Sequence, residues 1–449
     1  MNPELRRNLW LELSVHRVIA MPVVLLLVMG LVGARSSDPW GPAYTVGLWS
    51  FVLLVHLWGA RNASDAVTEE VRARTWDWQR LSTLGPWQMT WGKLVGATAL
   101  GWYGAAWCIA AMAFAQLSFA SKPGFAWIAL GLVASGIGVQ GAALAGSVQA
   151  ARKDMRAGVR LGVLVLVAAA LVSAFGIRGP WSIAREAEWF GGSYGSGPFL
   201  ALSAVAFAAW AVLAACREMA RELKERALPW AYPAFGVFLG AYLAGFVAAD
   251  TPGYVRMVVL LTFLVAVALV YFGLFVDVTT AMTLRRLALH ARAGDWRRVL
   301  ESLPYWATAL ALAAAFAIAT AALPAPPADL VSPRVREWPG AYPAFVLVLG
   351  AARDAGLLVF FALARRPRRV EAMTLLYIVL LWWIVPGLAD IAVLPGLSQA
   401  FRPIGLAGWQ GTLVMAVHVA AVWGAVAWRW RRRGEALDPR PGDGLPRGV

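Results

Sequence analysis

The chain has 449 residues, of which 60% are hydrophobic and 14% charged, with a mean hydropathy of +0.63. Soluble domains run near ~45–50% apolar and ~25% charged, so this composition excludes an ordinary water-soluble core and makes lipid the expected solvent. The 40 Lys and Arg outnumber the 25 Asp and Glu, but they recur in short clusters between apolar runs. That pattern reads as membrane topology. Nucleic-acid binding would want one basic face or tail. Two cysteines, Cys108 and Cys216, make neither a disulfide framework nor a metal set, and His16, His56, His290 and His418 are scattered.

The N-terminus predicts a short interfacial helix. Asn2-Pro3 suits a helix start. Leu5, Leu9 and Leu13 recur every four positions while Glu4, Arg7 and Glu12 face elsewhere. The next apolar run ends Leu31-Val32-Gly33-Ala34-Arg35 without a small-x-small cleavage site, so it is expected to be a retained span.

A spanning helix needs about 20 mostly apolar residues. About twelve such runs fall near 17–34, 42–60, 94–118, 126–150, 158–177, 198–216, 231–249, 256–276, 305–323, 342–364, 372–394 and 408–428. Trp40, Trp127, Trp230, Tyr254, Trp306 and Tyr342 lie near run ends, where such rings prefer the headgroup level. With both termini in the cytoplasm, eight basic residues fall on the opposite side: Arg35, Lys122, Arg178, Arg185, Arg256, Arg334, Arg336 and Arg402. Arg353 lies within a span, and the remaining 31 of the 40 fall inside, as the positive-inside rule requires. The expected architecture is thus an all-α polytopic membrane helix bundle.

An internal repeat divides it. Shifting by 218 residues lays Arg292, Asp295, Trp296, Arg298 and Pro304 on Arg74, Asp77, Trp78, Arg80 and Pro86. Both segments follow the second span of their half, which predicts two parallel six-helix units. The first covers 1–228 with a long loop 61–93. The second covers 229–434 with a loop 277–304. The Pro- and Gly-rich tail 435–449 is expected to be disordered.

Loop 61–93 mixes Asp65, Glu69, Glu70 and Asp77 with Arg61, Arg72, Arg74 and Arg80, and carries Trp76, Trp78, Trp87 and Trp91. By residue type it suits a docking element, or a helix anchored by Trp in headgroups. Its pattern Glu69-Glu70, Arg74-Thr75, Leu81-x-Thr83-x-x-Pro86 and Gly92-Lys93 resembles the cytoplasmic loop of type-2 ABC transporter permeases. The six-helix unit, the amphipathic first helix and the position of the loop match that family as well. The family commonly has Gly before the Thr, where this chain has Arg74. The second half keeps Asp295-Trp296-x-Arg298 and Pro304 but lacks the Thr and the Gly-Lys.

The resemblance implies an exporter-type permease subunit of a bacterial inner membrane. It implies docking through Arg74, Thr75, Trp76, Asp77, Trp78 and Arg80, and through Asp295, Trp296, Arg297 and Arg298. The partner would be a cytoplasmic ABC ATPase, in two copies, carrying the ATP and Mg. The chain itself has no Gly-x-x-x-x-Gly-Lys-Ser/Thr run to cradle phosphates, so no cofactor is expected on it. The resemblance also implies short re-entrant helices within 178–198 and 395–411, the Gly- and aromatic-rich loops before the last span of each half. Plain surface loops would fit those residues equally.

Arg353 and Asp354 interrupt an apolar run, and such residues normally face the bundle interior and find partners. As i and i+1 neighbours they are expected not to face each other. Asp390 in the next span is a candidate partner. The trio could line a substrate or gate, or clamp the helices together. It also supports a second function class, an ion- or proton-coupled carrier. No cluster of acids, histidines or nucleophile with base suggests an enzyme, and the residues leave a non-transporting scaffold open.

Overall fold

The computed structural model describes residues 2–35, 40–118, 124–153, 186–226, 229–248, 250–251, 253–277, 279–324, 341–364, 369–406 and 409–435. The fold is helical. Among the described residues ten helices are long and apolar enough to cross a membrane. An eleventh apolar helix, Ala231–Ala244, has 14 residues, short of a full span. The expected span at 158–177 and the tail 436–449 lie outside the described residues. The chain divides into two compact units, Met1–Glu188 with Gly192–Leu228, and Trp189–Gly191 with Pro229–Val449.

In the first unit, α1 (Pro3–Glu12) begins at Asn2, whose side chain accepts from the Glu4 amide at 3.0 Å, as the Asn-Pro start predicts. The span α2 (Val15–Gly33) follows. Then α3 (Trp40–Phe51), a π-helical segment (Val52–Trp58) and α4 (Gly59–Arg72) run without a break. The expected loop from residue 61 is therefore a continuation of the helix through Arg72. Its buried Ala60, Ala63, Ser64, Val67 and Thr68 recur at helical spacing, which is why it continues past the apolar run. After α5 (Trp76–Arg80), α6 (Pro86–Gly96) and α7 (Ala99–Ser118) comes α8 (Phe125–Lys153).

A two-stranded hairpin, β1 (Glu186–Trp189) with β2 (Gly192–Gly195), turns through Phe190 and Gly191, both at positive φ. It stands where the resemblance implies a re-entrant helix. The unit ends with α9 (Ser196–Glu222). Helix α8 packs on α9 through small residues: a Cβ at Gly141 would sit 3.2 Å from the Ala211 carbonyl carbon. Ala201, Ala204, Ala208 and Ala215 are buried along α9. In a membrane, where no hydrophobic effect drives helices together, such close backbone approach supplies the packing.

The second unit holds α10 (Ala231–Ala244), α11 (Tyr254–Val276), α12 (Ala281–Arg292), α13 (Trp296–Ser302), α14 (Tyr305–Ala322) and α15 (Ala341–Ala362). A span with an inserted π turn follows, made of α16 (Val370–Val379), a second π segment (Leu380–Ile384) and α17 (Val385–Ile391). A short helix α18 (Pro395–Phe401), a 3₁₀ turn (Pro403–Gly405) and the last span α19 (Gln410–Glu435) complete it. Asp277 accepts the Tyr305 amide at 2.9 Å, satisfying one of the donors that the start of α14 would otherwise leave open. Trp423 donates to the Ala352 carbonyl at 3.0 Å and ties α19 to α15.

A candidate docking elbow and two buried charge sites

Helix α4 ends in a left-handed elbow. The Thr75 amide reaches back to the Glu70 carbonyl at 2.9 Å and the Arg74 amide to that of Val71 at 3.2 Å, with Arg74 at φ 57°. This is a Schellman stop, whose left-handed residue is normally Gly because a Cβ is costly there. In the second unit Asp295 bonds the His290 carbonyl at 3.0 Å and Gly294, at φ 72°, occupies the left-handed position. The elbow of the second unit therefore aligns Gly294 with Arg74 and Asp295 with Thr75. The pairing of Arg292 with Arg74 by a shift of 218 is two residues out of step with this local geometry, because side-chain identities do not record where a helix stops.

Past the elbow, α5 has two faces. Trp76 is buried, and its indole donates to Glu222 at 3.3 Å. The Arg80 guanidinium lies 3.4 Å from the same carboxylate and 3.3 Å from Asp77. Arg152 completes the setting, pairing with Glu218 and reaching Glu222 at 3.7 Å. Outward, Trp78 is 77% and Leu81 80% exposed. Arg74, Thr75 and Asp77 are exposed beside them. The six residues expected to dock thus divide: Trp76 and Arg80 mount the helix on α9, and Trp78 is exposed with Leu81, a residue of the loop pattern that was not among the six. Glu222 was missed too, since within the run Arg217-Glu218-Met219-Ala220-Arg221-Glu222 it looks like any surface charge.

In the second unit α13 starts at Asp295, whose carboxylate accepts the Arg298 amide at 3.2 Å. Arg298 pairs with Asp295 at 3.1 Å and Arg297 with Glu301 at 3.3 Å. Trp296 and Leu300 are exposed, so this elbow also presents an apolar ridge, held by local pairs on its own helix.

Beneath the first elbow lies a buried charge cluster that carries the Glu-Glu and Gly-Lys motif. Lys93 is fully buried. Its ammonium donates to Glu70 at 2.5 Å, Glu4 at 3.1 Å and the Ala66 carbonyl at 3.3 Å, and lies 5.2 Å from the centre of the Trp76 ring. Arg7 pairs with Glu70 and, at 3.1 Å, with Glu4. Gln79 of α5 donates to Glu70 at 2.6 Å, so one carboxylate joins α1, α4, α5 and α6.

The side of α1 that meets protein is therefore Glu4 and Asn8, both buried, while Trp10 and Leu11 are exposed. Glu4, which lies off the stripe of Leu5, Leu9 and Leu13, is thus seated against protein, and α6 supplies the reason. Gly92 and Gly96, one turn apart, leave a groove in which Glu4 and Asn8 sit. A Cβ on Gly92 would lie 2.6 Å from Glu4 Cγ and one on Gly96 2.6 Å from Asn8 Cβ. Gly92→Val is accordingly expected to lift α1 and cost about 1–3 kcal/mol, as overpacking does. Faster tryptic cleavage at Arg6 and Arg7 would register the change. Gly30→Ala, which meets nothing within 4 Å, should be silent in the same assay.

The third site is the intramembrane pair. Arg353 and Asp354 are both buried on α15. They do meet: Arg353 Nε donates to Asp354 Oδ1 at 2.9 Å. The expectation that neighbours i and i+1 cannot pair fails because the long arginine side chain folds back to the adjacent carboxylate. Asp354 Oδ2 accepts from the Tyr271 hydroxyl at 2.9 Å and the Trp382 indole at 2.8 Å. Trp382 comes from the second π segment and lies against Gly350, where a Cβ would be 2.4 Å from its ring. Asp390 is not a partner: it is exposed and pairs with Arg402 at 3.0 Å. It lies beyond the π segment, nearer the end of its helix, out of reach of Arg353.

The first π segment has a comparable role. Its surplus Val55 carbonyl accepts from Gln140 at 3.0 Å, and His56 bonds Ser135 at 2.9 Å. Both π segments thus coincide with buried polar groups, as such segments often do.

No family model matches the chain, and no curated protein and no solved structure matches it either.

Proposed function

We propose that this protein is the membrane-spanning permease subunit of an ABC transporter, exporting its substrate through coupling to a separate cytoplasmic ATPase. The observation that carries the reading is the first elbow. A short helix with two adjacent exposed apolar side chains, Trp78 and Leu81, is mounted through Trp76 and Arg80 on the buried Glu222. A lever that transmits ATP-driven movement needs such a combination: an exposed ridge to grip the partner and a stiff mount that carries the force into the span. The charge cluster supports this, since Glu70 links the elbow to α1 and α6.

In this reading the elbows 73–83 and 293–303 lie in the cytoplasm with both termini. Helix α1 rests on the inner surface with Trp10 and Leu11 in the headgroups, and two ATPase copies each engage one elbow. The membrane is the bacterial inner membrane.

The test is affinity purification of the tagged protein from its native membrane in mild detergent. A soluble protein with a phosphate-binding loop is expected to co-purify. Trp78→Ala with Leu81→Ala should reduce its recovery at least tenfold, since an interface tryptophan of this kind contributes about 2 kcal/mol or more. The thermal midpoint of the permease itself should stay unchanged, because neither side chain is buried. Recovery of the ATPase undiminished by the double substitution would remove the docking assignment, and recovery of no ATPase at all would remove the ABC reading.

A further inference from the structure

Arg353 is 1% exposed, and among the described residues its Nη1 and Nη2 have no hydrogen-bond partner. Only Nε is engaged, by Asp354, whose other oxygen is already taken by Tyr271 and Trp382. Trp382 lies under the guanidinium with 4.8 Å from Cζ to the ring centre. The carboxylate and the indole therefore hold the group in a fixed orientation, with its two-pronged edge unmatched inside the second unit.

Buried donors without acceptors are costly, and native interiors rarely keep them unless something binds there. The planar fork of arginine matches two oxygens of a carboxylate or phosphate in parallel hydrogen bonds. Asp354 on the Nε side already balances the guanidinium charge, so what the fork still lacks is a matched pair of acceptor oxygens.

We propose that the Nη1–Nη2 edge of Arg353 is a binding site for the paired oxygens of a carboxylate or phosphate group of a ligand held inside the second unit. This goes beyond the permease reading and does not depend on an ATPase, because the site lies in this chain alone.

The test uses the full chain in nanodiscs of phosphatidylcholine, without any partner. Calorimetric titrations are run with inorganic phosphate and with dodecanoate. Saturable 1:1 binding of at least one probe is expected. Phosphate binding would indicate a water-soluble ligand, and dodecanoate alone an amphiphile drawn from the bilayer. Arg353→Gln should weaken the binding at least tenfold, and Arg353→Lys, which keeps the charge but loses the fork, severalfold. If Arg353→Gln does not fold, the paired Arg353→Met with Asp354→Leu removes both charges together and serves instead. Absence of saturable binding of either probe, or equal binding by wild type and the paired variant, would overturn the proposal.

Discussion

Replacing Lys93 by Met is expected to cost about 3–5 kcal/mol, because it leaves two carboxylates in a buried setting without their common cation. Lys93 is fully buried, and the side chains of Glu4 and Glu70 are 6% and 13% exposed. The shape of Met fits the space, so the loss is electrostatic rather than a cavity. Arg7 also touches both acids, but its side chain is 44% exposed and well screened, so it cannot replace the lysine. Glu70→Gln should cost less, about 1–2 kcal/mol, since Lys93 keeps Glu4 and an amide can still accept a hydrogen bond. The order matters more than the values. Thermal unfolding followed by tryptophan fluorescence in detergent should rank Lys93→Met well below Glu70→Gln, with α1 released first. Equal midpoints for Lys93→Met and wild type would mean that the cluster does not hold α1, α4 and α6 together.

Asp354→Leu should be the most damaging single change in the second unit, also by about 3–5 kcal/mol. It removes the counter-charge of a buried guanidinium and at the same time the acceptor for the Tyr271 hydroxyl and the Trp382 indole. Adding Arg353→Met to it should recover most of the loss, because an apolar pair of similar volume replaces a buried ion pair at little net cost. The coupling between the two substitutions is then about 2 kcal/mol or more, the range seen for residues in one network. Asp390→Leu, at an exposed pair with Arg402, is expected to stay within about 0.5 kcal/mol of wild type. Chemical unfolding in bicelles measures these three variants and Arg353→Met alone. A paired variant as unstable as Asp354→Leu alone would show that Arg353 and Asp354 do not act as a pair.

Much of the architecture was legible in the residue order. Long apolar runs become helices because a bilayer leaves the backbone no other way to satisfy its amides in an isolated segment. Hydropathy therefore located most spans without reference to tertiary contacts. The helix start at Asn2-Pro3 and the buried setting of Arg353 and Asp354 were readable for similarly local reasons. Even the elbow left a trace: a residue pattern that commonly carries Gly has Arg74, which the structure holds at a left-handed φ.

Three features were decided only by tertiary structure. Hydropathy ranks a side chain by its dislike of water, so it cannot separate one that faces lipid from one that faces another helix. That is why the residue types of α1 did not show which side meets protein: the glycines of α6 seat Glu4 and Asn8, off the line of Leu5, Leu9 and Leu13. Charge pairing depends on through-space distance. Glu222 became the mount of the elbow, and Asp390 left the Arg353 site, for reasons no spacing along the chain records. The π segments belong to the same class, since one extra residue in a turn is invisible in composition yet decides that Trp382 reaches Asp354. The sequence by itself determined that this chain is a membrane helix bundle and where most of its helices run. Which polar groups meet inside that bundle, and which face outward to be gripped, followed only from the packing of helices far apart in sequence.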